Sequence, residues 1–99
     1  MKIKYAHQLG QQEAARRINY FLNHLTESQQ YPISNVSSSW NAEGDLLDFS
    51  FLVQGRKIMG QVHCQNEYIL LEADLPFPIR LFQAKIEDLI RGKLNESFN

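Results

Sequence analysis

The sequence predicts an α+β domain in which an antiparallel β-meander carries two helices on one face, in the order β-α-β-β-β-β-α. Three observations lead there. Residues 36–73 hold four runs of β-formers whose apolar side chains alternate with polar ones, separated by connections too short for anything but antiparallel neighbours. Two segments outside those runs, Gln11 to about Gln29 and Pro78 to about Leu94, instead repeat their apolar residues at helical spacing. Each helix has one apolar stripe and each strand mostly one apolar face, so both helices should cover the same side of the sheet.

Element by element, Lys2 to Ala6 alternates Ile3 and Tyr5 with Lys2 and Lys4, as a half-exposed edge strand does, and lysines there discourage pairing with a second chain. The first helix follows His7-Gln-Leu-Gly10. Its stripe is Ala14, Ala15, Ile18, Phe21, Leu22 and Leu25, with Arg16, Arg17, Asn19 and Asn23 on the wet side. Ser28 to Asn35 reads as a polar connection with a bend at Pro32. Val36 to Trp40 then alternates, and Asn41-Ala-Glu-Gly-Asp45 has hairpin-loop chemistry. Leu47, Phe49, Phe51 and Val53 share a face, and Ile58, Gly60, Val62 and Cys64 share another after the Gln54-Gly55-Arg56 turn. Gly60 within a strand implies a bulge or a close approach by a helix side chain. Tyr68 to Ala73 reads as a central strand, ended by Pro76 and Pro78 because neither ring nitrogen can donate to a ladder. Pro78 suits the first position of the second helix, whose stripe is Ile79, Phe82, Ile86, Leu89, Ile90 and Leu94. That helix should weaken near Gly92 and leave Phe98 free to meet a partner.

Ninety-nine residues fit one domain, residues 1–99, able to bury about two-thirds of its unfolded surface without metal or disulfide. With 43% hydrophobic and 21% charged residues the chain is an ordinary globule. The net charge is -1, from 10 Lys and Arg against 11 Asp and Glu, so composition offers no footprint for nucleic acid. The first residues lack an apolar leader and no run reaches membrane-spanning length, which together with the lone Cys64 makes a cytoplasmic setting the expectation.

Chemistry-bearing residues are sparse. His63 and Cys64 are adjacent in a strand and point to opposite faces, so they cannot share a metal ion, and no paired ligand spacing completes a site. Cys64 reads as a small buried hydrophobe, although His7 or His24 could be brought to it by the fold. Glu72 and Asp74 share a strand face, so an acid–base pair is sterically conceivable, but a solvated strand edge is by a wide margin the more ordinary explanation, and Asp74 could instead cap the second helix. No phosphate loop or nucleophile elbow is present. The reading is therefore of a non-enzyme with no cofactor and no metal. The uncovered sheet face would carry Asp48, Ser50, Gln61 and Glu72 together with Leu52, Met59, His63, Tyr68 and Leu70, and the last five form the expected partner-binding patch, suited to a homodimer.

The order His7-x-Leu-Gly10, Ala14-Ala15, Trp40, Gly44-Asp45-x-Leu-x-Phe49, Gly60-x-Val62, Leu71-x-Ala-Asp-Leu-Pro76, Ile86-Glu87 and Ile90 resembles the polyhydroxyalkanoic acid system (granule region) proteins over nearly the whole chain. That resemblance implies a small bacterial accessory protein of polyhydroxyalkanoate storage granules, bound to protein partners or to the granule surface. It carries over no catalytic residue. The alternative is a reduced START-like carrier, whose hydrophobic ligand would sit in a cavity lined by Phe49, Phe51, Phe82 and Ile86.

Overall fold

The computed structural model describes residues 1–27 and 33–99. The strands are β1 (Lys2–Ala6), β2 (Ile33–Trp40), β3 (Leu46–Val53), β4 (Arg56–Cys64) and β5 (Tyr68–Asp74), and the helices are α1 (Gln11–Asn23) and α2 (Gln83–Phe98). Short 3-10 turns, Leu25–Glu27 and Ile79–Phe82, follow α1 and precede α2. The five strands form one antiparallel sheet in the order β1-β5-β4-β3-β2, a four-strand meander with the N-terminal strand added beside β5. β1 is thus an edge strand and β5 an internal one, as alternation and composition predict.

The turns follow from their residues. Gln54 and Gly55, with φ of 52° and 76°, make the two-residue loop of β3–β4, the doubly positive geometry whose twist matches the strands it joins. In the β2–β3 loop the Asn41 side-chain oxygen accepts from the backbone N–H of Asp45 and of Leu46, at 3.1 Å each. β2 begins earlier than the pattern suggests, at Ile33, because a register shift between Ser34 and Ser37 breaks the alternation that would reveal the strand. The part of the polar connection at 28–32, and the last residues expected in the first helix, lie outside the described residues.

One core fills the space between the sheet and the two helices. Ile3, Leu47, Phe49, Phe51, Val53, Ile58, Val62, Cys64, Ile69 and Leu71 contribute the sheet side, and Ala14, Ile18, Phe21, Leu22, Ile86, Ile90 and Leu94 the helical side. Gly60 lies beneath the Phe49 ring. A Cβ there would stand 2.7 Å from Phe49 Cζ and 3.0 Å from Ala73 Cα, so the glycine serves a strand–strand approach rather than a helix contact or bulge.

Long-range hydrogen bonds seat the helices. The N-cap of α1, Gly10, offers no side chain, and Asn66 from the β4–β5 turn supplies the missing acceptor, taking the Gln11 N–H on its side-chain oxygen at 3.0 Å. Trp40 Nε1 donates to Asn19 at 3.0 Å, tying the outer strand β2 to α1. Arg17, expected on a wet face, is part-buried: it meets Glu13 at 3.2 Å and donates at 3.0 Å to the Ser97 carbonyl in the last turn of α2, where free carbonyls favour a cation.

Two expectations about α2 need correction. The α-helix begins at Gln83 rather than at Pro78, because the residues after Pro78 first wind as a 3-10 turn, and Asp74 does not cap it. Nor does the helix weaken after Gly92. It continues to Phe98, whose ring packs 5.2 Å from Tyr5 and 5.6 Å from His7, while the Tyr5 hydroxyl donates to Asn95 at 2.8 Å. Phe98 is an internal clamp between α2 and β1.

Two substitutions separate these roles. Gly60→Ala should lower unfolding free energy by about 1–3 kcal/mol, since its methyl meets ring and backbone with little room to yield. Gly92→Ala adds a methyl with no neighbour within 4 Å and should raise stability by about 0.5–1 kcal/mol. Denaturant midpoints at equal slope would register both.

Candidate binding surface

The sheet face turned away from the helices is bare, and the strand register decides what it presents. Its side chains form rows across the sheet. One row runs Lys4, Leu70, His63 and Leu46 from β1 to β3. The next runs Lys2, Glu72, Gln61, Asp48 and Ser39 from β1 to β2. Beyond it lie Asp74, Met59, Ser50 and Ser37, and then Lys57, Leu52 and Ser34.

All five side chains expected in a partner-binding patch are on this face, but they are not one patch. His63, Leu70 and Tyr68 gather at the β4–β5 end, joined by Leu46, while Met59 and Leu52 sit beyond the polar row. Within that row Gln61 donates to Asp48 at 2.8 Å, and Glu72 lies 3.4 Å from His63 Nε2 across the diagonal. Lys4 adds a cation 4.4 Å from the centre of the Tyr68 ring. The result at this end is a half-buried strip of leucine, tyrosine and imidazole with charge along both sides.

A shallow depression of about 300 Å³ crosses the polar row, lined by Asp48, Met59, Gln61, Glu72 and Asp74 among others. It collects carboxylates and an amide, with the histidine nearby, and its open shape gives water free access. Among the described residues, no group of three or more His, Cys, Asp or Glu side chains could hold a metal ion. The other histidines are occupied away from Cys64: His7 Nδ1 takes the Leu9 N–H at 3.2 Å, and His24 stacks on Tyr20 at 3.9 Å. Cys64 itself is fully buried in the core.

The carrier alternative fails on geometry. Phe49, Phe51 and Ile86 belong to the packed core, with the two phenyl rings stacked 5.8 Å apart, whereas Phe82 is 43% exposed. The exposure of Phe82 has company: Phe77 is 71% and Leu81 69% exposed, in the connection between β5 and α2. Sequence periodicity hides this cluster, because Phe82 falls on the same helical stripe as buried Ile86 and Ile90.

Residues 1–98 match the family model for the polyhydroxyalkanoic acid system protein of the granule region. The chain belongs to this family. Comparison with curated proteins and with solved structures finds no match. The match spans every strand and both helices. No helix among the described residues is long and apolar enough to cross a membrane.

Burial, and secondarily the charge of Asp45, push the Cys64 thiol from 9.0 up to about 11. Between those values the unfolded chain has lost a proton that the folded chain keeps, so stability should fall as pH rises from about 9 to about 11. Denaturation midpoints across that window should show this decline, reduced in Cys64→Ala, and a thiol-exchange reagent should label the native protein only as fast as it opens.

Proposed function

We propose that this protein is a non-enzymatic accessory component of the polyhydroxyalkanoate granule system, working in the cytoplasm by binding a protein partner through the bare face of its sheet. The first such partner is a second copy of the chain. Family membership supports the granule setting. What supports self-recognition is the order of the polar row, which starts with the cation Lys2 and reaches the carboxylate Asp48 three strands later. A two-fold axis along the strands between β4 and β5 reverses that order. It sets Lys2 against Asp48 of the second copy and Glu72 against Gln61, and in the adjoining row it brings His63 against Leu70 and the Lys4 stem over Leu46.

Such a pairing is two sheets face to face, about 10 Å apart. It covers the apolar strip, which is worth more than the rim charges, and the charges fix orientation. The depression beside Glu72 then becomes part of an interface rather than a reaction centre.

Sedimentation across a concentration series should find reversible dimers. Leu70→Asp or Tyr68→Asp should weaken association at least tenfold. Lys2→Asp should also weaken it, and adding Asp48→Lys to that variant should restore much of the loss. A protein that remains monomeric at every concentration, or a charge-swapped pair no better than the single variant, contradicts the proposal.

A further inference from the structure

The net charge of -1 conceals a polarised molecule. The β2–β3 loop, the β4–β5 turn and the start of α1 lie at one end of the sheet, and that end carries Glu43, Asp45, Glu67 and Glu13. Its arginines are taken up: Arg16 meets Glu13 at 2.9 Å, and Arg17 is held between Glu13 and the Ser97 carbonyl. At the opposite end, the β3–β4 hairpin lies beside the close of β5 and the chain entering α2. Here Arg56, Lys57, Arg80 and Lys85 are all exposed, against the exposed carboxylates of Asp74 in the β5 terminus and Asp88 one turn into α2. Arg80 is the best placed of them, since its Nε donates to the Leu75 carbonyl at 3.3 Å while the residue remains at the surface.

The same end holds four exposed apolar side chains: Phe77 at 71%, Leu81 at 69%, Met59 at 59% and Phe82 at 43%. Leu75 and Ile79 alternate with them and are buried, so the connection is anchored to the core by one set of side chains and turns the other set outward. Rigid apolar projections ringed by cations suit a surface that is itself apolar below and anionic above, because the projections leave water only where the cations find countercharge. A neutral apolar partner would leave the four cations without countercharge, and a purely polyanionic one would leave the phenyl groups wet.

We infer that this end of the molecule docks on an anionic lipid layer, with Phe77, Leu81 and Phe82 entering the acyl boundary and Arg56, Lys57, Arg80 and Lys85 meeting headgroups. The contact is peripheral, and Phe77, Leu81, Phe82 and Arg80 in the β5–α2 connection lie outside the bare sheet face, which shares only Lys57 with it, so it stands whether or not that face pairs with a second copy. It gives the protein a defined orientation on a lipid-coated body, with its acidic end pointing away.

Co-sedimentation with vesicles tests this on the full chain. The protein should bind vesicles of phosphatidylglycerol mixed with phosphatidylcholine at least tenfold more tightly than vesicles of phosphatidylcholine alone, and added salt should weaken that binding. Phe77→Ser with Leu81→Ser should reduce binding at least tenfold, as should Arg56→Glu with Arg80→Glu. All four positions are exposed, so an unchanged circular dichroism spectrum should accompany the losses, with at most a small fall in thermal midpoint where Arg80→Glu removes the bond to the Leu75 carbonyl. Leu70→Asp should bind like the unaltered protein. Absence of binding to anionic vesicles, or equal binding by the Phe77/Leu81 variant, overturns the inference.

Discussion

Everything in this fold follows from the requirement that a five-strand sheet bury one face only. Alternation along β3, β4 and β5 sends Phe49, Phe51, Ile58, Val62, Ile69 and Leu71 to one side. A face of that width exceeds what one helix can shield, so the chain supplies two, packed side by side on the same side of the sheet. Covering both from one side leaves the other face open. The open face is therefore a structural consequence of chain economy, and its composition is what is free to serve binding.

Much of this is legible in the residues themselves. A period of two is a local property, so the strands, their inward faces and the internal position of β5 can be read without coordinates. Register is not local. Whether Leu52 and Leu70 are neighbours depends on how far β3 has slid along β4, and the pairing of Gln61 with both Asp48 and Glu72 places a polar row between them. The seats of the helices are hidden for the same reason: Asn66 reaches Gln11 over 55 residues, and Arg17 reaches Ser97 over 80. Phe77, Leu81 and Phe82 escape for a different one. Hydrophobic residues beside a helix start are ordinarily core, whereas here Phe77 lies in the turn before the 3-10 winding of Ile79–Phe82 and Leu81 and Phe82 lie within it, all three exposed.

The two surfaces differ in kind. The bare sheet face is broad, half-buried and ordered in rows of mixed sign, which suits a partner with a matching face. The β5–α2 end is narrow, apolar and cationic, which suits an extended anionic boundary. They meet at Lys57 and Met59, at the hairpin end of the sheet.

The most direct measurement of the central claim is hydroxyl-radical footprinting of the dilute, unassociated protein, read residue by residue along β4 and β5. One-sided coverage predicts labelling that alternates with a period of two: Met59, His63, Tyr68 and Leu70 modified readily, Ile58, Val62, Ile69 and Leu71 protected. Equal protection of both sets, or fast labelling of Ile58 and Leu71, would mean that the helices do not share a face and would contradict the account.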